Sequence, residues 1–547
     1  MAHQNSPLDP AGLRGTSRRQ FLKYTGVLAA AAGIATSVSA CGPSSGTSGS
    51  GGGGGANGGG SATIDATLAF QLSGTLDPKD HSSAVATAAN QHVFEGLIDL
   101  DPATHEPYLA LAKAQPKASA DGLKWTVQLR DGAVFSDGSA VTGEDVAWSF
   151  TRALDPATLM SQFISFIKSV KATGKDSAEF TLKEPFPLFP TRISVIKIVP
   201  KAKTTTAAQA KKFGDSPIGS GPWVLDSADA NSGLTFSANP KYNGAHKARA
   251  KKMVWHTTTQ DATRVADLQS GRSQAIEAVP YVNVKQLSKT KKVAEKQAFN
   301  QIFLMFNCSA KPFDDKRVRQ ALHYAVDTDA IIRTAFQGHA SAAQSYLDEG
   351  NADFQKASTV YNHDPAKAKK LLAAAGATNL KLELVTTDSG AVAATAPLII
   401  DAWKQVGVQA TLNTAPSSSV YAPAPDGLVS KPSFRALLAS GDPTVYGVDV
   451  DLLLRWFYYG ATWPTDRFRW QPASAKKVAN WLDQAAKETD KAKQKALWMK
   501  TIDFIADEAP LYPVVHTKMM TGWDDKKLTG FKPVSMTGLY FLDTKPV

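Results

Sequence analysis

Cys41 is the residue for which the sequence indicates a specific chemistry most clearly. It ends the run Val-Ser-Ala-Cys at 38–41. This run has the small-residue spacing of a bacterial lipoprotein cleavage site. Upstream, Arg18 and Arg19 belong to a twin-arginine export signal, and a short apolar stretch at 27–38 follows them. That stretch is too short and too weakly apolar to span a bilayer. The pattern predicts that a signal peptidase cuts before Cys41, which then carries a diacylglyceryl thioether.

Two acyl chains anchor a protein stably, so we expect the protein on the outer face of the cytoplasmic membrane. Residues 1–40 are predicted to be the signal peptide. Residues 41–62 comprise the lipidated cysteine and a run that is almost entirely glycine and serine, which is typical of a flexible tether.

From residue 63 onward the chain is long enough for two or three domains, and 43% of the sequence is hydrophobic, as in ordinary soluble proteins. Apart from Cys41 the sequence contains one cysteine, Cys308, so no internal disulfide can form after lipidation. Because Cys308 ends an apolar run at 302–308, it is predicted to be a small buried core residue rather than a metal ligand or a catalytic thiol.

The formal net charge of +11 raises the question of nucleic-acid binding, but part of it belongs to the signal peptide and the rest is scattered. The densest basic runs lack the interleaved aromatic residues of a base-stacking platform; they lie at 247–252, 289–292 and 367–370. We interpret them as solvated faces, with mild attraction to an anionic membrane surface as the alternative. We expect no nucleic-acid partner.

The elements that must position any site are a mixture of strands and helices. Trp125, Val127 and Leu129 alternate with polar residues as in a strand, and Thr142 with Asp145 three residues on predicts a capped helix. Further helices are predicted by a cap at Asp314, by a segment that starts at Asp364 and stops at Gly376, and by apolar spacing around Trp481 and Trp498. The body is therefore predicted to be α/β or α+β.

Six stretches, in order, resemble the family of large extracellular solute-binding proteins that serve peptide, nickel and some sugar importers of the ATP-binding-cassette (ABC) class, known as solute-binding protein family 5. The longest match is LRDGAVFSDGSAVTGEDV, in which Ser136 and Gly143 stand where other residues are usual. The matching stretches lie at 93–97, 129–146, 217–223, 239–242, 307–322 and 364–376.

The resemblance implies an α/β, two-lobed periplasmic-binding-protein-like fold of the large type II cluster, with an extra domain inserted in the first lobe. The implied boundaries are 63–310 for lobe I with the insert at about 100–220, 311–495 for lobe II, and 496–547 for a return to lobe I. It also implies a monomer without cofactor or metal, which binds a peptide or other small solute and delivers it to an ABC permease and ATPase. We find no HExxH, CxxC or P-loop motif, and expect no enzymatic activity.

In peptide-binding relatives an aspartate of the second lobe pairs with the free ammonium of the peptide, a charge-assisted contact that a buried amine requires. The matching stretch at 434–457 places Asp442 at this position, with Asp449 or Asp451 as alternatives after a small register shift. Ser440 replaces the tryptophan often found just before that aspartate. The structural alternative is that Asp442 and the proline after it only initiate a turn.

Aromatic residues are frequent in the same stretch, and Tyr446 and Trp456 could either wall a cleft or pack in the core. Within the family, an oligosaccharide or a chelated metal is the alternative ligand, and His516 or His323 could touch such a chelate. A surface signalling receptor or a chaperone without uptake is a further alternative.

Overall fold

The computed structural model describes residues 63–80, 83–230, 232–422 and 424–547. The described residues belong to one compact unit. Cys41, Arg18 and Arg19 lie outside the described residues.

Strands and helices are interspersed along the described chain, as the mixed sequence pattern predicts. The strands, β1 to β19 in chain order, are Thr63–Leu68, Ile98–Leu100, Pro107–Leu109, Lys117–Ala118, Lys124–Gln128, Ile167–Gly174, Ser177–Leu182, Trp223–Asp229, Gly233–Ala238, Lys252–Thr257, Ala275–Ile276, Lys292–Phe306, Ala340–Ala342, Lys381–Thr387, Gln409–Ala415, Ala436–Gly441, Leu511–Trp523, Leu528–Thr529 and Lys545–Pro546.

The helices, α1 to α14 in chain order, are Ala84–Val93, Gly143–Ala153, Phe189–Arg192, Ala207–Asp215, Asp261–Ser270, Tyr281–Leu287, Lys316–Tyr324, Thr328–Thr334, Pro365–Ala374, Gly390–Gln405, Ser417–Val420, Val450–Tyr458, Pro472–Lys487 and Lys491–Glu508. Short 3₁₀ turns lie between them, two of which bear on the site: Leu159–Phe163 and Pro443–Val445.

Eleven strands form the main sheet, in the order β15, β14, β16, β12, β17, β11, β1, β10, β9, β8, with β13 paired to β17 outside this path. Parallel pairs lie toward both ends: β14 pairs with β15 and β16, and β1 pairs with β10 and β11. The long antiparallel pair of β12 and β17 joins the two ends. Its register shifts between Gln297 and Gln301, where the pair passes from one end of the sheet to the other.

The core is centred on this pair. Residues 302–306 of β12 are all fully buried, which explains their continuous apolar run, because both faces of a central strand are covered. Cys308 follows them and is fully buried, and burial raises the pKa of its thiol to about 11. The predicted role of Cys308 as a core residue is confirmed.

Helix starts follow local capping chemistry. Thr142 and Asp145 form a reciprocal capping box at α2, and Asp364 caps α9, as predicted. The predicted cap at Asp314 is wrong by one residue, because the side chain of Asp315 accepts the N–H of Arg317 at the start of α7. Two adjacent aspartates offer the same capping chemistry, and only the backbone path decides between them.

A separate four-stranded antiparallel sheet has the order β4, β5, β7, β6. In β5, Val127 is buried between exposed neighbours, which confirms the alternation predicted for this strand. Helix α2 covers this sheet with Val146 and Phe150, both fully buried. The residue boundaries of the lobes and of the insert stay predictions.

Candidate functional site

Asp442 directly follows β16, and its carboxylate joins two distant parts of the chain. One oxygen accepts the N–H and hydroxyl of Thr444, which caps the 3₁₀ turn Pro443–Val445. The other oxygen accepts the N–H of Thr537 at 3.1 Å and its hydroxyl at 3.2 Å. The residue is half-buried but its carboxyl group is enclosed, and burial raises its pKa. Asp442 thus initiates the turn and also contacts the C-terminal segment.

A second carboxylate, Glu277, lies beside this contact. It accepts the N–H of Gly538 at 2.7 Å and the N–H of Ala69 at 2.9 Å. Because Thr537 and Gly538 are consecutive, and neighbouring Cα atoms are about 3.8 Å apart, Asp442 and Glu277 hold adjacent peptide groups. Sequence reasoning missed Glu277; a single acid within the apolar run Ala-Ile-Glu-Ala-Val at 275–279 is the signal that could have found it.

In the described part of the chain, the groups that donate hydrogen bonds to the carboxylates of Asp442 and Glu277 are all neutral: they are backbone N–H groups and threonine hydroxyls. Arg264 lies near Glu277, but its guanidinium donates to the backbone carbonyls of residues 258, 277 and 278 and pairs with Asp261. Burial raises the pKa of Glu277, as it does for Asp442. The Tyr540 hydroxyl, which donates to the Thr537 carbonyl at 3.2 Å, lies close to both carboxylates. Neither carboxylate forms an ion pair with a basic residue of the described chain.

Asp449 and Asp451 have different surroundings. Asp449 caps α12 by accepting the N–H of Leu452, and it pairs with Arg192. Asp451, fully buried, accepts from Arg192 at 2.9 Å and from Arg455 at 2.8 Å. Both aspartates are therefore neutralised by arginines of the chain itself.

Tyr446 and Trp456 pack against each other, with ring centroids 5.2 Å apart. Trp456 also stacks on Phe163 at 5.8 Å with the ring planes 6° apart, and the Tyr446 hydroxyl bonds to the hydroxyl of Thr87 in α1. Phe163 and Thr87 belong to a region of the chain far from 446–456 in sequence. The two aromatic residues thus pack, and they do so across the boundary between the N-terminal region and the 442–456 segment.

The two histidines considered for a metal chelate are both buried. His323 stacks on Tyr361 at 4.7 Å, and burial lowers its pKa to about 3. His516 places its Nδ1 2.7 Å from the Phe299 carbonyl, and burial lowers its pKa as well. Within the described ranges, no group of three or more histidine, cysteine or acidic residues is arranged to hold a metal ion.

None of the described helices is both long enough and apolar enough to cross a membrane. Export is instead assigned by the N-terminal sequence, because the twin-arginine translocation signal profile matches residues 15–35. This match confirms the predicted export signal.

The chain is similar to known proteins over most of its length. The glutathione-binding protein GsiB of Escherichia coli O1:K1 / APEC is 29% identical over 482 residues, which cover 86% of this chain and 92% of that protein. The structure of DppA from Helicobacter pylori with the peptide STSA has a TM-score of 0.78 at 21% identity, covering 88% of this chain and 98% of that one. NikZ from Campylobacter jejuni with Ni(L-His) has a TM-score of 0.74 at 22% identity, covering 87% and 96%.

These similarities confirm the predicted mixed α/β, two-lobed binding-protein fold. The profile of the bacterial extracellular solute-binding proteins, family 5, middle region, matches residues 106–475, more than half of the chain. The chain therefore belongs to the bacterial extracellular solute-binding proteins of family 5, and it is an exported substrate-binding protein of the ABC-importer type.

Proposed function

We propose that this protein is the substrate-binding lipoprotein of an ABC importer, which captures peptides or peptide-like solutes with a free ammonium group and delivers them to a membrane permease and its ATPase. In this proposal Cys41 carries the lipid anchor, and the glycine-serine tether keeps the binding body near the membrane. The protein acts as a monomer and performs no catalysis.

The observation that carries the proposal is the contrast among the three aspartates. Asp449 and Asp451 are each paired with arginine, whereas Asp442 accepts hydrogen bonds from Thr444 and Thr537 alone in the described part of the chain. A carboxylate enclosed without a cation is costly, and a ligand ammonium would offset that cost through charge-assisted hydrogen bonds. Asp442 is therefore the proposed anchor for the ligand.

Glu277 strengthens the proposal, because it adds a second acidic group beside the one that Asp442 presents. A ligand ammonium at this place would meet two carboxylates, and the Tyr540 hydroxyl lies close to both. The relatives favour the same class: GsiB is named for glutathione, and the DppA structure contains a peptide.

Three contacts between the N-terminal region and the 442–456 segment fit a receptor whose two lobes close over the ligand. Tyr446 with Thr87, Trp456 with Phe163, and Asp449 with Arg192 all join the 442–456 segment to the N-terminal region. Such contacts form together when two lobes close, and a closed form presents a surface that a membrane partner can distinguish from the open form.

The test is native mass spectrometry on full-length protein purified without denaturation from a peptide-rich medium, followed by release and identification of the bound molecule. Recovered peptides that are lost in the Asp442→Asn variant support the proposal, and the Asp388→Asn variant, altered at an exposed aspartate, is the control. Recovery of only oligosaccharides or metal chelates would overturn the peptide assignment while leaving the family intact.

A further inference from the structure

The hydrogen bonds that Asp442 accepts use the full capacity of its carboxylate. The N–H and hydroxyl of Thr444 donate to Oδ1, and the N–H and hydroxyl of Thr537 donate to Oδ2. An ionised carboxylate has about four lone-pair sites, and the four donors occupy them. A ligand ammonium can therefore form hydrogen bonds with Asp442 only when one of these residues withdraws its donors.

The two threonines differ in how firmly the chain ties them to Asp442. Thr444 lies in the 3₁₀ turn that Asp442 caps, two residues further along, so it moves together with the carboxylate. Thr537 is 95 residues away, in the segment 530–544 between β18 and β19. That segment, described throughout, contains neither helix nor strand, so no ladder of backbone hydrogen bonds fixes Thr537 in place. Thr537 is thus the donor that a ligand can replace.

Asp442 and Thr537 are also attached to different hydrophobic cores. Asp442 follows β16, whose Leu438 belongs to the large core that includes α12. The residues beside Thr537, among them Met536 and Leu539, pack in the core formed by β1, α1, β9 and β10. The contact between the Asp442 carboxylate and Thr537 therefore bridges two bodies, and it breaks when these bodies move apart.

The residues that follow Thr537 are held by other groups. The N–H of Gly538 donates to Glu277 at 2.7 Å, and the N–H of Phe541 donates to Nε2 of His92 at 2.9 Å. In the described chain each oxygen of Glu277 accepts one hydrogen bond, so this carboxylate keeps spare lone pairs for a ligand. Loss of the Thr537 contact thus leaves the rest of the segment in place.

We propose that Thr537 occupies the place of the ligand ammonium on Asp442 in the unliganded protein, and that it thereby selects for cationic ligands; this inference rests on the proposed role of Asp442. An ammonium donates hydrogen bonds and also neutralises the enclosed carboxylate, which the neutral donors of Thr537 cannot do. A ligand that offers only a hydroxyl or an amide gains nothing over Thr537. Because displacement of Thr537 opposes binding, the measured affinity is lower than the intrinsic one.

The test is native mass spectrometry of the full-length protein titrated with a library of tripeptides that have free amino termini. Thr537→Val removes the hydroxyl donor and should bind the library about tenfold more tightly than the parent, since one hydrogen bond to a charged group no longer opposes the ligand. Thr537→Ser keeps the hydroxyl and should retain the parent affinity. Thr529→Val, the same change at an exposed threonine of β18, is the control and should match the parent.

A second measurement follows the contact in the parent protein and decides the matter if Thr537→Val does not fold. The protein is labelled with ¹⁵N-threonine, and the Thr537 amide signal is assigned by its absence from the NMR spectrum of Thr537→Ser. Saturation with the tripeptide library should move this signal to a lower proton chemical shift, because the N–H loses its carboxylate acceptor. The same library with acetylated amino termini should leave the signal unchanged.

The outcomes separate this inference from the proposed function. If the parent binds the library but Thr537→Val binds it equally or more weakly, or the Thr537 amide signal of the saturated parent does not move, Thr537 does not compete with the ligand and the inference is overturned alone. If neither the parent nor any variant binds the library, the proposed peptide-binding function fails, and the inference fails with it.

Discussion

The carboxylate of Asp442 accepts both the backbone N–H and the hydroxyl of Thr537, 95 residues further along the chain. This contact joins the end of β16 to the C-terminal segment, and Glu277 holds the next peptide group of that segment. The residue proposed to bind the ligand is thus also the residue that fixes the C-terminal segment in this structure.

Removing the Asp442 side chain should destabilise the protein even without ligand. Asp442→Ala leaves donors of Thr444 and Thr537 without their acceptor, and we expect the free energy of unfolding to fall by about 1–3 kcal/mol. Urea unfolding followed by circular dichroism measures it. Asp388→Ala, at an exposed position, should stay within about 0.5 kcal/mol of the parent. Equal stability of the two variants would contradict the structural role of Asp442.

The raised pKa of Glu277 should make stability depend on pH. The folded state binds a proton at Glu277 more tightly than the unfolded state does, so its contribution to stability is lost as pH rises from the ordinary carboxyl pKa through the raised one. Arg264 and Tyr540 are titratable groups that lie near it.

Urea unfolding of the parent and Glu277→Gln at a series of pH values from 4 upward isolates this group. The difference in unfolding free energy between the two proteins should change with pH, with the parent losing more stability than the variant as pH rises. A difference that is constant across the series would show that Glu277 has an ordinary pKa.

Arg192 neutralises two aspartates at once, and its removal should be costly. Arg192→Met leaves Asp449 without its basic partner and Asp451 with Arg455 alone, and we expect a loss of about 3 kcal/mol in unfolding free energy. Arg333→Met, at an exposed arginine of α8, is the matched control. Chemical unfolding measures the stability of both variants, and equal stability would contradict this role of Arg192.

Asp449 should affect stability but not peptide binding. Asp449→Asn keeps a side chain that can cap α12 but removes the charge that pairs with Arg192, so the unfolding free energy should fall by about 1 kcal/mol while ligand recovery is unchanged. If Asp449→Asn lost its bound peptide and Asp442→Asn kept it, Asp449 rather than Asp442 would be the residue that binds the ligand ammonium.

Lipidation at Cys41 should decide where the protein resides. Cys41→Ser should abolish incorporation of a labelled fatty acid and release the exported protein from the membrane fraction, whereas Cys308→Ser should leave both unchanged because that thiol is buried in the core. Membrane attachment that persists in Cys41→Ser would contradict the predicted anchor.

Much of the architecture was predictable because it depends on local chemistry. The capping box of Thr142 and Asp145, the cap at Asp364 and the alternation around Val127 are short-range features, and all three are present. The sequence cannot distinguish Asp314 from Asp315 as the cap of α7, because the two residues have the same side chain, and the structure shows that Asp315 is the cap.

The site was less accessible to sequence reasoning, because its contacts connect distant residues. The sequence indicates Asp442, Asp449 and Asp451 as candidates, but it does not show which of them forms an ion pair with a basic residue of the chain. Arg192, which pairs with two of them, lies more than 250 residues earlier in the chain. Glu277 was missed for the same reason, since its partners Ala69 and Gly538 are brought together only by the fold.

The most direct test of the central claim, that Asp442 holds a ligand ammonium, is native mass spectrometry of the full-length protein mixed with a peptide library before and after acetylation of the amino groups. We expect bound peptides from the free library alone, and none with Asp442→Asn. Equal binding of acetylated peptides, or of the free library by Asp442→Asn, would contradict the assignment of Asp442.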